Sequence, residues 1–181
     1  MEIGGAPRSQ SRPLTGVECF FREDEVIVSK TDLTGRITYA NRVFTRLAGF
    51  TEQELLGAPH SILRHPDMPR CVFKLLWDTV QAGREIFAYV LNRSANGDHY
   101  WVFAHVTPSF DESGAIVGYH SNRRVPDRGV VETKIIPLYR SLLEIELRHE
   151  DRKQGMAASF GAVVKTLQEQ GVGYDEWVFS L

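Results

Sequence analysis

Apolar residues in this chain recur with the period of a strand, then of a helix, then of a strand again, and finally of two longer helices. Val26-Ile27-Val28-Ser29-Lys30 is short and β-branched, and Arg36-Ile37-Thr38-Tyr39-Ala40 repeats the pattern after the turn residues Asp32, Thr34 and Gly35. Spacing this tight predicts a hairpin. Asn41 then reads as the cap of a helix whose apolar positions Val43, Phe44, Leu47 and Ala48 stop at Gly49. Thr51 and Glu54 form a capping-box pair for one more short turn.

A longer helix is expected over residues 68–82, with Gly83 as its stop. Met68, Cys71, Val72, Leu75, Leu76 and Val80 make its core stripe, and Phe73 and Trp77 widen it sideways. An apolar arc this broad has to cover a sheet and something else. Three strands follow, over 85–93, 98–108 and 116–125, the first two joined by the hairpin signal Asn96-Gly97. Read as a two-residue loop, that turn opposes Asn92 to Trp101. It then puts both on one face with Ile86, Ala88, Val90, Phe103 and His105. The expected fold class is α+β: a five-stranded antiparallel sheet with short helices on one face.

Beyond residue 130, Val131, Ile135, Leu138, Leu142 and Ile145 mark an amphipathic helix that Pro137 should kink or split. A second helix is expected over 156–170, ended by Gly171-Val172-Gly173. The last residues, from Tyr174 to Leu181, form an aromatic tail that needs a cover on this subunit or a partner. Three parts result: a flexible lead with a short apolar patch (1–22), a sensor-sized domain (23–126), and a C-terminal helical extension with the tail (127–181).

Composition changes this picture little. Hydrophobic residues make up 43% and charged residues 24% of the 181, the balance of a soluble globular protein. A net charge of -2 with scattered basic residues gives no footprint for nucleic acid or an anionic membrane. Two cysteines, Cys19 and Cys71, make no disulfide framework, no apolar run spans a bilayer, and a reducing cytoplasm is the expected setting.

Chemistry is sparse. The six histidines have no Cys or carboxylate at metal-ligand spacing, although a single axial histidine for haem remains open. There is no nucleophile elbow, Walker loop or Rossmann loop, so the sequence points away from an enzyme. Arg64-His65-Pro66-Asp67-Met68-Pro69 is the densest polar stretch before a helix. Asp67 can cap that helix, and a stiff helix start is a sufficient account of the motif. The sharper reading makes it a clamp: Arg64, His65, Asp67, Asn41 and Asn92 would orient a polar ligand, with Phe73, Trp77, Trp101 and Phe103 as stacking surface.

Several of these motifs together resemble one family. Thr31-Asp32-Leu33-x-Gly35-x-Ile37-x-Tyr39-Ala40-Asn41 and Gly49-Phe50-Thr51-x-x-Glu54-Leu55-x-Gly57 look like a PAS domain. The Arg64–Pro69 motif, Trp77 and the run Asn92-Arg93-x-x-Asn96-Gly97-Asp98-His99-Tyr100-Trp101-Val102 resemble the aerotaxis-receptor subgroup. The resemblance implies a PAS fold and non-covalent FAD, with Asn41, Arg64, His65, Asp67, Trp77 and Asn92 in the flavin site. It implies an energy-taxis signal of redox or oxygen status relayed to a methyl-accepting chemotaxis-type receptor or other signalling protein, from a chain that forms a homo-oligomer. The family's tryptophan early in the third strand is Phe87 here, which implies the loss of one polar or redox-active contact. The chain shows no membrane anchor, HAMP segment or methyl-accepting coil, and resembles the PAS-only partners of split systems. A haem-binding PAS gas sensor, with His65 or His105 as ligand, and a ligand-free PAS dimerisation module are the alternatives. The Asn-Cys-Arg-Phe-Leu-Gln motif of photoactive flavin domains is absent.

Overall fold

A computed structural model describes residues 12–181 of the chain. The expected flexible lead therefore lies, up to residue 11, outside the described residues. Five strands, β1 (Ile27–Thr31), β2 (Ile37–Ala40), β3 (Ile86–Arg93), β4 (His99–Phe110) and β5 (Ile116–Arg124), form one sheet in the order β2-β1-β5-β4-β3. Every pairing is antiparallel. This order puts β1 and β5 side by side in the middle of the sheet, although they stand far apart in sequence. Residues 15–19 run beside the start of β4, where Cys19 N–H donates to the His99 carbonyl at 2.7 Å.

Between β2 and β3 lie α1 (Arg42–Ala48), α2 (Glu52–Leu55), a 3-10 turn (His60–Leu63) and α3 (Arg70–Gln81). Their starts and stops follow from local chemistry. The Asn41 side chain accepts from Phe44 N–H at 3.0 Å, and Gly49 closes α1 in the left-handed region. Thr51 and Glu54 form the full capping box. The helix expected from residue 68 begins at Arg70, because Pro69 supplies the extended residue before it. Its N-terminus takes no cap from Asp67, whose side chain is exposed. The Cys71 N–H instead donates to Oε1 of Glu146, from the C-terminal extension, at 3.1 Å.

That extension continues from a helical turn (Arg128–Val130) through a π-helical segment (Val131–Ile135) into α4 (Ile136–Leu147), then α5 (Arg152–Gln170) and α6 (Tyr174–Ser180). Pro137 does not split the helix. It sits in the first turn of α4, and the wider π-helical turns just before it absorb its missing N–H and its ring. The aromatic tail docks on this chain: Val178 is buried, and Phe179 meets Phe87 edge-on with ring centres 4.7 Å apart. Helices thus cover the sheet from both sides, α1 to α3 on the inner face and α4 and α6 on the outer.

The β3–β4 register differs from the expected one by a single residue. Asn92 pairs with Tyr100, and Trp101 pairs with Leu91. Ser94 N–H donates to the Asp98 carbonyl at 2.8 Å, so the loop is Ala95-Asn96-Gly97 rather than Asn96-Gly97 alone, with Gly97 at φ 98°. One extra loop residue moves a whole row of side chains to the other face. Ile86, Ala88, Val90 and Asn92 face inward with Val102, Ala104 and Val106. Phe87, Tyr89, Trp101, Phe103 and His105 face outward, under the C-terminal helices.

Candidate functional site

The inner face of the sheet, the 3-10 turn and α3 line a cavity of about 340 Å³. Strand alternation builds its floor: Ser29 and Thr31 from β1, Tyr119, Ser121 and Arg123 from β5, Ala104 and Val106 from β4, and Val90 and Asn92 from β3. α3 contributes Phe73, Leu76 and Trp77, and the turn contributes Pro59, His60, Ser61 and Arg64. The Trp77 ring meets Tyr119 edge-on at 5.3 Å. It also lies so close to Gly35 (φ 78°) that a Cβ there would stand 3.1 Å from the indole. The backbone conformation at that turn favours glycine, and the nearby indole leaves a Cβ little room.

Four of the eight residues expected to hold a ligand line this cavity: Arg64, Phe73, Trp77 and Asn92. Arg64 lines it from the end of the 3-10 turn. Its Nη2 donates to the Met68 carbonyl at 3.2 Å, and its guanidinium lies 5.1 Å from the centre of the Phe73 ring. Burial lowers its pKa, and the neighbouring Arg70 lowers it further, while Glu146 opposes both. Asn92 is 3% exposed, and its Nδ2 has no acceptor.

The other four stand elsewhere. Asn41 spends its amide on the backbone, accepting from Val28 and Phe44 and donating to the Val26 carbonyl at 2.8 Å. His65 is buried beside His99, with ring centres 5.7 Å apart, and its Nδ1 accepts from Asp67 N–H at 3.1 Å. Burial lowers the His65 pKa, with His99 and Arg93 adding to the effect and Asp67 opposing it. Asp67 points to solvent, 3.8 Å from His65 Nδ1. Trp101 faces the opposite side of the sheet, against Tyr139 at 6.0 Å, for the register reason given above.

Phe87 also lies on that outer face, stacked on His105 at 4.2 Å. The change from the family's tryptophan therefore falls under α6 and not in the cavity. His105 is tied to Glu85 at 2.7 Å and His65 does not line the cavity, so neither histidine named as a haem ligand reaches it. Neither cysteine lines it either.

Sequence reasoning missed the cluster at the cavity floor. Arg123 is 2% exposed, and its Nε donates to Ser121 Oγ at 3.0 Å. Its Nη2 reaches Ser29 Oγ and His60 Nε2, the latter at 2.9 Å, and its guanidinium lies 4.8 Å from the centre of the Phe44 ring. Burial lowers its pKa to about 10, and no carboxylate among the described residues pairs with it. His60 is driven down to about 3 by burial and then by Arg123, so it is neutral and accepts at Nε2. The available signal was a charged residue at an inward position of a strand, in step with Tyr119 and Ser121.

Three buried polar atoms at the cavity wall lack partners: Thr31 Oγ1, Asn92 Nδ2 and Arg123 Nη1. Buried polar groups are nearly always bonded, so three at one cavity mark a place for a bound molecule. Aromatic and aliphatic walls with a donor-rich floor fit a planar ring system with an acceptor edge, a flavin included. At about 340 Å³ the space lies at the lower end of small-molecule sites, which run from roughly 300 to 1,000 Å³.

An antiparallel sheet in this order, with helices on its inner face and a ligand-sized cavity between them, defines the class of fold. Residues 37–123 match the family of the PAS fold, and the chain carries a PAS domain. Over 121 residues, 66% of this chain, it is 44% identical to the aerotaxis receptor of Escherichia coli strain K12, of which it covers 23%. Over 99 residues, 55% of the chain, it is 28% identical to the nitrogen fixation regulatory protein of Klebsiella pneumoniae, of which it covers 20%. The chain thus spans about a quarter or less of the length of these curated relatives. Among solved structures, a light-oxygen-voltage domain studied with a flavin analogue has the same fold, with a TM-score of 0.57. It shares 18% identity over 65% of this chain and 89% of that one. No helix among the described residues is long and apolar enough to cross a membrane.

Proposed function

We propose that this protein is a redox or oxygen sensor of the energy-taxis kind that binds FAD non-covalently in the PAS cavity and relays its state to a separate receptor. The observation that carries the reading is Asn92, a buried amide with an unpartnered donor on a residue that lines the same cavity as Phe73 and Trp77. Similarity to the aerotaxis receptor and the flavin context of a like-folded domain support it.

A bound flavin supplies a ring whose charge and proton count change on reduction. Phe73, Trp77 and Tyr119 would pack against that ring and limit its contact with water. Arg64 holds one wall to the Met68 carbonyl, and Asn92 would offer its amide to a polar group of the flavin. Asn92 belongs to β3, so a change in its hydrogen bonding acts on the edge strand that the C-terminal helices grip. That strand and α4 to α6 form the route to a chemotaxis-type receptor or a second copy of this chain, acting in the cytoplasm.

The test is an absorption spectrum of purified protein, before and after dithionite. Flavin bands that bleach on reduction are expected. A Soret band, or a colourless protein after incubation with FAD, would overturn the reading.

A further inference from the structure

We propose that Arg123, which no motif assigns to the ligand, is the specificity-determining contact of this cavity: a fixed positive charge selecting a ligand whose acceptor edge carries or gains negative charge. This deepens the flavin reading and rests on it.

The guanidinium is hydrogen-bonded through Nε and Nη2 and unpaired at Nη1. Ser121 takes Nε, and Ser29 and His60 take Nη2. Nη1 is buried with no acceptor. All three partners are neutral. Tyr100, whose hydroxyl is also unpartnered, is pushed far up by burial and cannot serve as the counter-ion. A guanidinium removed from water without an anion carries a desolvation penalty that proteins seldom bear for packing alone. Structural duty would call for a carboxylate or for saturated donors, and the Phe44 ring, 4.8 Å from the guanidinium, offers a π face but no hydrogen-bond acceptor for Nη1.

The missing partner is therefore an acceptor. Asn92 Nδ2 is a second free donor on the same cavity, so the complementary ligand edge presents more than one acceptor. Reduction makes the nitrogen and carbonyl edge of a flavin more basic and favours negative charge there. A fixed cation facing that edge binds reduced FAD more tightly than oxidised FAD. By linkage it raises the midpoint potential above that of the same protein without the charge. His60, Ser29 and Ser121 act as positioning residues that aim the guanidinium.

The experiment compares wild type, Arg123→Gln and Arg123→Lys. Oxidised FAD affinity is read by fluorescence titration, and midpoint potential by dye-coupled reduction. Arg123→Gln is expected to lose about tenfold in preference for reduced FAD, a fall of about 30 mV for the two-electron couple. Arg123→Lys, which keeps the charge, falls less. If Arg123→Gln binds FAD and is reduced at the wild-type potential, this inference fails and the FAD reading stands. If wild type binds no FAD, both fail. Should Arg123→Gln not fold by circular dichroism, the pair Ser29→Ala and Ser121→Ala replaces it. Losing both aiming hydroxyls should then weaken FAD binding by about threefold or more, and unchanged binding overturns the proposal.

Discussion

The Tyr139 hydroxyl of α4 donates to the main-chain carbonyl of Tyr89 at 2.5 Å, on the strand that carries Asn92. Tyr174 of α6 makes the same bond to Phe87, at 2.8 Å. β3 is an edge strand, so these carbonyls have no sheet partner, and two tyrosines from the C-terminal extension supply one each. Tyr139→Phe with Tyr174→Phe should cost about 1 kcal/mol per bond, more if the carbonyls stay buried. Hydrogen exchange is the measurement. Amides of α4 and α6 should exchange faster in the double variant, while those of α1 keep their protection. Unchanged protection of α4 and α6 would show that ring packing alone holds the extension.

Asn92 separates a stability role from a binding role. An unpaired buried amide destabilises by about 1–3 kcal/mol, and an apolar residue of like size removes that penalty. Asn92→Leu should therefore raise the unfolding temperature of the ligand-free protein while abolishing FAD binding. A structural asparagine would show the opposite, lower stability with binding intact. Thermal melts with and without FAD distinguish the two.

Local chemistry made much of the fold readable, and long-range pairing hid much of the site. Asn41, Gly49 and the Thr51–Glu54 box depend on neighbours within one turn, and the structure has them as the sequence predicts. The β3–β4 hairpin was legible as a hairpin. Its register was not, because a three-residue loop containing Asn-Gly looks the same in sequence as a two-residue one. That single step moved Trp101 and Phe103 off the cavity face and left Asn92 on it. Arg123 was hidden for another reason. Ser29, His60 and Ser121 meet it only because the sheet order places β1 against β5, which no local pattern reveals. Glu146 capping α3 from the extension is the same kind of contact.

Glu146 is the joint between that extension and the sensor domain. One oxygen, Oε1, accepts from Cys71 N–H at 3.1 Å and from Ser159 Oγ at 3.0 Å, joining α3, α4 and α5. A carboxylate at a helix N-terminus is worth about 1 kcal/mol from capping and the helix dipole together. Glu146→Ala should lose about that much in urea denaturation, and Glu146→Gln, which keeps an acceptor, should lose less. Cys71 offers a second readout. Burial pushes its thiol up to about 11, so it should resist alkylation near neutral pH in the wild type and react faster in Glu146→Ala.

His60 predicts how the fold responds to acid. It is neutral in the folded protein, with its pKa lowered from 6.5 to about 3 by burial first and Arg123 second. The unfolded chain takes up a proton at His60 as pH falls below about 6.5, and the folded protein does not until about pH 3. This contribution to stability is full above that upper value. It falls by about 1.4 kcal/mol per pH unit through the window and levels off near the lower one. His65 and His120 are also lowered, chiefly by burial, and steepen the fall in the same direction. His60→Asn keeps an acceptor for Arg123 but cannot titrate. Urea denaturation at about pH 7, 6 and 5 should show a slope in the variant smaller by close to one proton. Equal slopes would mean that His60 is charged in the folded state, and that the positive charge at the cavity floor is larger than Arg123 alone provides.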